Sequence, residues 1–285
     1  MKQMELKRVG IWYIHDKSEV FDAARRIVDE LLLQGIQPVV EQRLANALEI
    51  SDQYVGEFDG CAFLCVLGGD GTLLAALDIT INKSIPILGI NLGRVGFLSE
   101  LAPEDIETGL RRVLAGEGYI DRRMMLKACT EDGLSGLALN DVAFNRSEAS
   151  VGILHIELMA GPILVERLAG DGLVVASATG STAYSMAAGG PVVVPGLDCM
   201  VITPICPQTL HMRPAVVSAE DVITVRVIEK RSQAHIMLDG YKHLPLSDGA
   251  SIVTIRRAEV TADFLRLDKC NFYDLMRRKL SLWSS

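Results

Sequence analysis

An apolar run that ends in a glycine-rich, acid-bearing turn constrains this chain more than any other stretch. It is Cys61-Ala-Phe-Leu-Cys-Val-Leu-Gly-Gly-Asp-Gly-Thr72, followed by Leu73-Leu-Ala-Ala-Leu77. The run reads as a buried strand, and the Leu/Ala segment after the turn reads as a helix. Glycines flank Asp70 because a backbone without Cβ can approach a ligand closely. Thr72 stands where a helix N-cap is expected, and free N–H groups at such an end bind anions. Asp-Gly is also a common hairpin turn. The absence of β-branched residues after it favours strand–turn–helix over a return strand.

The 285 residues suggest two domains, and a hydrophobic fraction of 49% supports a sizeable core. No apolar run approaches membrane-spanning length. The polar start, Met1 to Arg8, does not read as a signal peptide. A net charge of −8 argues against general nucleic-acid binding. An anionic substrate would then depend on backbone N–H groups, a few basic side chains or a metal ion. Cysteines 61, 65, 129, 199, 206 and 270 form no C-x-x-C pair and fall mostly in apolar runs. They read as free thiols in a reducing cytosol rather than as a zinc site, so the expected location is cytoplasmic.

Along the chain, strands are expected at 8–14, 36–40, 61–67 and 85–90, with helices at about 18–31, 42–48 and 103–114. This alternation implies a parallel sheet with helices on its faces. A second glycine loop, Asn91-Leu-Gly-Arg-Val-Gly-Phe-Leu98, leaves the carboxyl end of the fourth strand. Ligands of open α/β sheets bind at such ends. After Gly116-Glu-Gly118 the chain becomes β-rich. Strands are expected at 119–130, 137–145, 153–159, 162–168, 173–176, 200–205, 222–228, 235–238, 251–256 and 260–266. One helix is expected near 182–188, and the tail 271–280 reads as an amphipathic helix with Phe272, Leu275 and Met276 on one face.

No Walker A pattern, G-x-G-x-x-G or G-x-S-x-G occurs, which removes a P-loop kinase, a plain dinucleotide fingerprint and the usual serine hydrolase. Four constellations remain: Gly68–Thr72, Asn91–Leu98, Leu139-Asn-Asp-Val142, and Gly170–Pro191 with its Thr-Gly-Ser-Thr-Ala-Tyr and Ala-Gly-Gly-Pro segments. Taken singly, each has a plainer reading. Asp70 and the Asp171-Gly172 pair can be turn formers, Asn140-Asp141 a cap or turn between strands, and Phe97 and Tyr184 packed aromatics.

Together these motifs resemble the NAD kinases over nearly all of residues 8–280, with Pro204-Ile-Cys-Pro207, Arg213-Pro214 and the 272–280 tail fitting the same family. The resemblance implies transfer of the γ-phosphoryl of ATP, or of polyphosphate, to the adenosine-ribose 2′-hydroxyl of NAD. It makes Asp70 the general base, since a ribose hydroxyl needs a positioned proton acceptor. Gly69, Gly71 and Thr72 would line the phosphates. Gly71, Gly96, Phe97, Asn140, Asp141, Asp171, Thr182, Ala183, Tyr184, Ser185 and Ala187 would join Asp70 in holding NAD. A divalent cation is implied, Mg²⁺ first and Mn²⁺ as the alternative, with no ligand assigned. The implied fold is an α/β Rossmann-like parallel-sheet domain, 1–116 completed by 267–285, plus a β-sandwich-like domain, 117–266. The C-terminal helix would return to the first domain. The partners implied are NAD and ATP, in a homodimer or homotetramer, without nucleic acid or membrane.

The chain departs from the family at several contacts. Asp141 replaces the usual Glu and has the shorter reach toward ribose hydroxyls. Ala176-Ser-Ala178 replaces Ser-Thr-Pro, Ala187 a frequent serine, and Gln208 a frequent histidine. Ala75, Gly152 and Tyr241 stand where some members have basic, Gln or His residues. A non-catalytic dinucleotide-binding homologue and a kinase for a different hydroxyl substrate, such as a lipid or sugar phosphate, are the competing readings.

Overall fold

Parallel pairing dominates the first part of the chain and antiparallel pairing the second. The structure is a computed structural model describing residues 7–93, 96–147, 152–208, 211–228, 234–245, 252–268 and 272–281. The chain divides into two units, Met1–Arg122 with Ala262–Ser285, and Arg123–Thr261. Among positions singled out in the sequence, Arg94, Val95, Ser251, Cys270 and Asn271 lie outside the described residues.

The first unit opens with β1 (Arg8–Tyr13), α1 (Ser18–Leu33), β2 (Gln37–Val39) and α2 (Gln42–Leu48). It continues with β3 (Leu64–Leu67), α3 (Asp70–Thr80), β4 (Ile87–Ile90) and α4 (Ile106–Leu114). The four strands lie in the order β2-β1-β3-β4, all parallel. Val9, Ile11, Tyr13, Cys65, Leu67, Leu88 and Ile90 meet α1 and α4 in one buried core. Strand residues alternate faces, and the intervening Gly89 faces α3. A Cβ there would lie 2.4 Å from Leu73 Cδ2. The strand–turn–helix reading of 61–77 holds, with one correction. The helix starts at Asp70 with Gly69 as its N-cap, not at Thr72. Gly69 is extended, and its carbonyl accepts the N–H groups of Thr72 and Leu73 at 2.9 and 3.2 Å. Asp70 therefore stands in the first helical turn.

The second unit holds β5 (Tyr119–Thr130, entering from the first unit), β6 (Ser135–Ala138), β7 (Asp141–Arg146), β8 (Leu154–Ala160), β9 (Ile163–Gly170) and β10 (Gly172–Ser177). The short helix α5 (Tyr184–Ala187) precedes β11 (Cys199–Ile205), β12 (Ala215–Ser218), β13 (Ile223–Val227), β14 (Ala234–Leu238), β15 (Lys242–Leu244) and β16 (Ile252–Arg266). One sheet runs β6-β5-β16-β13-β8-β9, and the other β12-β11-β10-β7-β14-β15. Leu126, Ile156, Leu158, Val225 and Val253 of the first share a core with Val142, Phe144, Leu173, Val175 and Ile202 of the second. This is the sandwich. The second sheet is covered on its other face too, where Ala143, Val174, Ala176 and Val201 pack with Ala178 and Val193. Its central strands consequently read as unbroken apolar runs rather than alternating ones.

Three expectations in this half are corrected. The strand expected at 137–145 is two strands, broken at Leu139-Asn140. The strands expected at 251–256 and 260–266 are one, running through Ala258. The helix expected at 182–188 is a 3₁₀ turn, Thr179–Thr182, then a break at Ala183 and the four residues of α5. Ser181 and Thr182 hydroxyls donate back to the Ala178 and Thr179 carbonyls at 2.7 and 3.2 Å. Such local bonds compete with a regular helix. The end of β16 returns to the first unit, where Phe264 pairs in parallel with Ile87 of β4. Helix α6 (Phe272–Ser281) follows, and its Phe272 ring lies 6.4 Å from the Phe97 ring.

Candidate active site

Asp70 leaves the carboxyl end of β3 on the first turn of α3. The loop leaving the neighbouring strand β4 comes back over it. The Phe97 N–H donates to Asp70 Oδ2 at 2.8 Å and the Leu98 N–H to Oδ1 at 3.1 Å. The carboxylate plane is thus fixed by two backbone donors from the second glycine loop. Gly96 allows this approach: a Cβ there would lie 2.0 Å from Asp70 Oδ1. Gly69 and Gly71 face open space, with no atom within 4 Å of the position a Cβ would take. Thr72 is 9% exposed and points inward. Asp70, Gly96 and Phe97, far apart in sequence, are brought together, beside a helix N-terminus whose backbone a phosphate can reach.

The second unit gathers the other candidates around Asp141 and Tyr184. Asp141 is 3% exposed. Burial pushes its carboxyl up to about 7, the nearby Asp239 adds to this, and the Tyr184 backbone N–H bonded to it works in the opposite direction. Asp239 is the residue that sequence reasoning missed. Its carboxylate accepts the backbone N–H groups of Leu139 at 2.8 Å, Asn140 at 2.6 Å and Asp141 at 3.2 Å. Those bonds occupy the N–H groups at the break between β6 and β7 and fix the Asn140-Asp141 turn. Asp239 itself has φ +53, and its N–H returns to the Asp141 carbonyl at 2.9 Å. Asn140 is clamped from the other side, because its carbonyl accepts the Ser177 N–H at 2.8 Å. Gly180 packs on the same peptide so closely that a Cβ would lie 1.9 Å from the Asn140 oxygen.

Tyr184 is 38% exposed, and its hydroxyl donates to Asn145 Oδ1 at 3.0 Å. Partial burial raises its phenol pKa, helped by the charges of Asp141, Cys206 and Asp171. Asp171 thus belongs to the same cluster although it precedes the opposite end of β10 from Ser177. Ser185 is buried and shares a hydrogen bond with Thr203 at 2.8 Å, so its hydroxyl supports the turn from below. Thr182 and Ala183 form the bend between the 3₁₀ turn and α5, and Ala187 ends α5. Asn145 was not anticipated either. An amide inside an otherwise apolar strand was the available signal, as was the Asp239-Gly240 turn.

Comparison with known proteins shows the family. Residues 9–118 match the ATP-NAD kinase N-terminal domain, and 139–267 match the ATP-NAD kinase C-terminal domain. The NAD kinase of Desulforamulus reducens is 36% identical over 98% of this chain and 99% of the relative. The chain belongs to the NAD kinase family. A second member, from Methanothermobacter thermautotrophicus, is 37% identical over 96% of each chain. Among solved structures, an Archaeoglobus fulgidus NAD kinase in complex with ATP aligns with TM-score 0.75 at 29% identity, over 95% of this chain and 98% of that one. A yeast NADH kinase complexed with NADH shares the fold, with TM-score 0.87 at 22% identity, over 98% and 89% of the two chains. As a NAD kinase family member the chain is a phosphotransferase with an alcohol acceptor.

Proposed function

We propose that this protein transfers the γ-phosphoryl of ATP to the adenosine-ribose 2′-hydroxyl of NAD, with Asp70 as the general base. The observation that carries the assignment is the pair of backbone N–H groups on the Asp70 carboxylate, at 2.8 and 3.1 Å. They hold the acid in one orientation before substrate arrives, as a base within hydrogen-bond reach of a hydroxyl requires. Each carboxylate oxygen carries two acceptor lone pairs, so a backbone bond on an oxygen does not by itself bar a substrate hydroxyl.

Gly69, Gly71 and Thr72 line the phosphates at the α3 N-terminus. Asn140 and Asp141 read the dinucleotide, a carboxyl oxygen accepting from ribose hydroxyls and a carboxamide pairing with a purine edge. Gly96, Phe97, Asp171, Thr182, Ala183, Tyr184, Ser185 and Ala187 complete the NAD contacts. Ala183 and Tyr184 contribute backbone and ring surface, and Ser185 braces the turn.

The family uses divalent cations. Among the described residues no three His, Cys, Asp or Glu side chains converge. The donor set therefore suits a cation carried by the triphosphate, with Asp70 the nearby carboxylate, rather than a cage built by the protein. Mg²⁺ binds in that way. When bound it neutralises charge on the transferred group. We assign the chain to a homodimer or homotetramer working in the cytoplasm.

The test is a panel of acceptors (NAD, NADH, a lipid and a sugar phosphate) offered with γ-labelled ATP and Mg²⁺. Label on the dinucleotide, with NADP as product, is the expected result. Label on another hydroxyl, or NAD binding without turnover, would overturn the proposal.

A further inference from the structure

We propose that Arg266 is a positioning residue for the phosphoryl transfer, holding the Ser99-Glu100 segment and through it the two N–H groups that orient Asp70. The inference rests on the reading of Asp70 as the base.

Arg266 ends β16 and is 4% exposed. A guanidinium is seldom buried unless its donors are met. Here Nη1 donates to the Ser99 carbonyl at 3.0 Å and to Glu100 Oε2 at 3.2 Å, while Nε faces Asp121 Oδ2 at 3.5 Å. The guanidinium carbon lies 5.4 Å from the centre of the Phe264 ring. Glu100 closes the circuit by accepting the N–H groups of Leu267 at 2.8 Å and Asp268 at 3.4 Å.

The carbonyl that Arg266 holds belongs to the residue directly after Leu98, whose N–H is on Asp70. The same short segment is fixed at its far end. The Glu100 and Leu101 N–H groups donate to the Gly89 carbonyl at 2.9 and 3.1 Å, and the Asn91 N–H to the Leu101 carbonyl at 2.9 Å. Between that anchor on β4 and the Asp70 carboxylate, Arg266 is the side chain that restrains the Ser99 peptide from β16. Joining β16 to the loop could be done by apolar contact, which avoids the cost of burying charge. A planar guanidinium, whose Nη1 reaches the Ser99 carbonyl and the Glu100 carboxylate while Nε faces Asp121, fixes direction as well. Direction is what the Asp70 carboxylate needs.

The experiment is steady-state NADP formation by the full chain, with thermal unfolding measured alongside. Arg266→Met alone strands Glu100 beside Asp121 and lowers stability. Arg266→Met combined with Glu100→Gln removes the stranded charge while leaving Ser99 without its donor. The expected result is a midpoint restored to near the wild-type value. kcat stays down at least about tenfold, with KM for ATP and NAD changed less than about threefold. Arg266→Lys, which keeps the charge without the fork, is expected to fold and to recover only part of kcat.

The paired substitution is then placed on Asp70→Asn. If Arg266 acts through Asp70, the residual rate falls by less than about twofold more, because coupled residues are not additive. Recovery of kcat together with stability overturns the proposal, as does wild-type kcat in Arg266→Lys or an equal fractional loss in both backgrounds. Wild-type turnover by Asp70→Asn would instead remove the base assignment itself, so the two failures are told apart.

Discussion

Asp141 is the residue whose chemistry the fold alters most. Its carboxyl is raised from 3.8 to about 7 by burial first and by Asp239 second. A carboxyl raised in the folded state binds more protons folded than unfolded between those two values. Its contribution to stability is therefore full below about pH 4 and is lost as pH rises through about 7. Asp141→Asn cannot titrate. Urea unfolding of the two proteins at pH 5 and pH 8 is expected to show the variant gaining on the wild type at the higher pH. Parallel stability curves would mean that Asp141 is not held in its acid form. The same residue marks a family departure. This shorter acid is tied to the Tyr184 backbone N–H and sits near a second carboxyl, that of Asp239.

At the scale of elements, close backbone packing does what side chains do elsewhere. The 3₁₀ turn at Thr179–Thr182 lies on the Asn140 peptide because Gly180 has no Cβ, and an added methyl would fall 1.9 Å from the Asn140 oxygen. Gly180→Ala is expected to raise KM for NAD by about tenfold or more while KM for ATP holds, since small displacements of positioning groups are costly. Equal changes in both constants would contradict this. Helices α1 and α4 are joined by two reciprocal pairs, Arg111 on Glu30 at 2.8 Å and Arg26 on Glu107 at 2.5 Å. The Glu30 side chain is 3% exposed, whereas Arg26 and Glu107 are each about a third exposed. Arg111→Ala leaves the Glu30 carboxylate with the Gln34 amide, 3.0 Å away, in place of a guanidinium and is expected to lower the urea midpoint more than Arg26→Ala does. Arg26→Ala is expected to cost about 1 kcal/mol or less.

These elements also show what a sequence can disclose. Strand β3, its turn and α3 were legible because apolar run, glycines and helix formers follow one another within 20 residues. β5 was legible end to end as Tyr119–Thr130. The break before β7 was not, because its cause, Asp239, comes about 100 residues later. Strands β12 and β15, of four and three residues, are too short to leave a period. The continuity of β16 was hidden by Arg257 and Glu259, solvent-side charges that imitate a turn.

For the whole molecule, the chain's net charge of −8 has to coexist with two phosphate-bearing substrates. The backbone offers the means. α3 presents its N-terminus at Gly69–Gly71, and the β4 loop turns its own N–H groups inward onto Asp70. Among the described residues no helix is long and apolar enough to cross a membrane. We propose that the acid at the head of α3 takes the proton from a dinucleotide ribose. Rates of NADP formation and calorimetric NAD affinity for wild type and Asp70→Asn test it most directly. We predict affinity within about threefold and turnover lowered by at least about a hundredfold. Turnover near the wild-type rate, with NAD still bound, would remove Asp70 from the role of base.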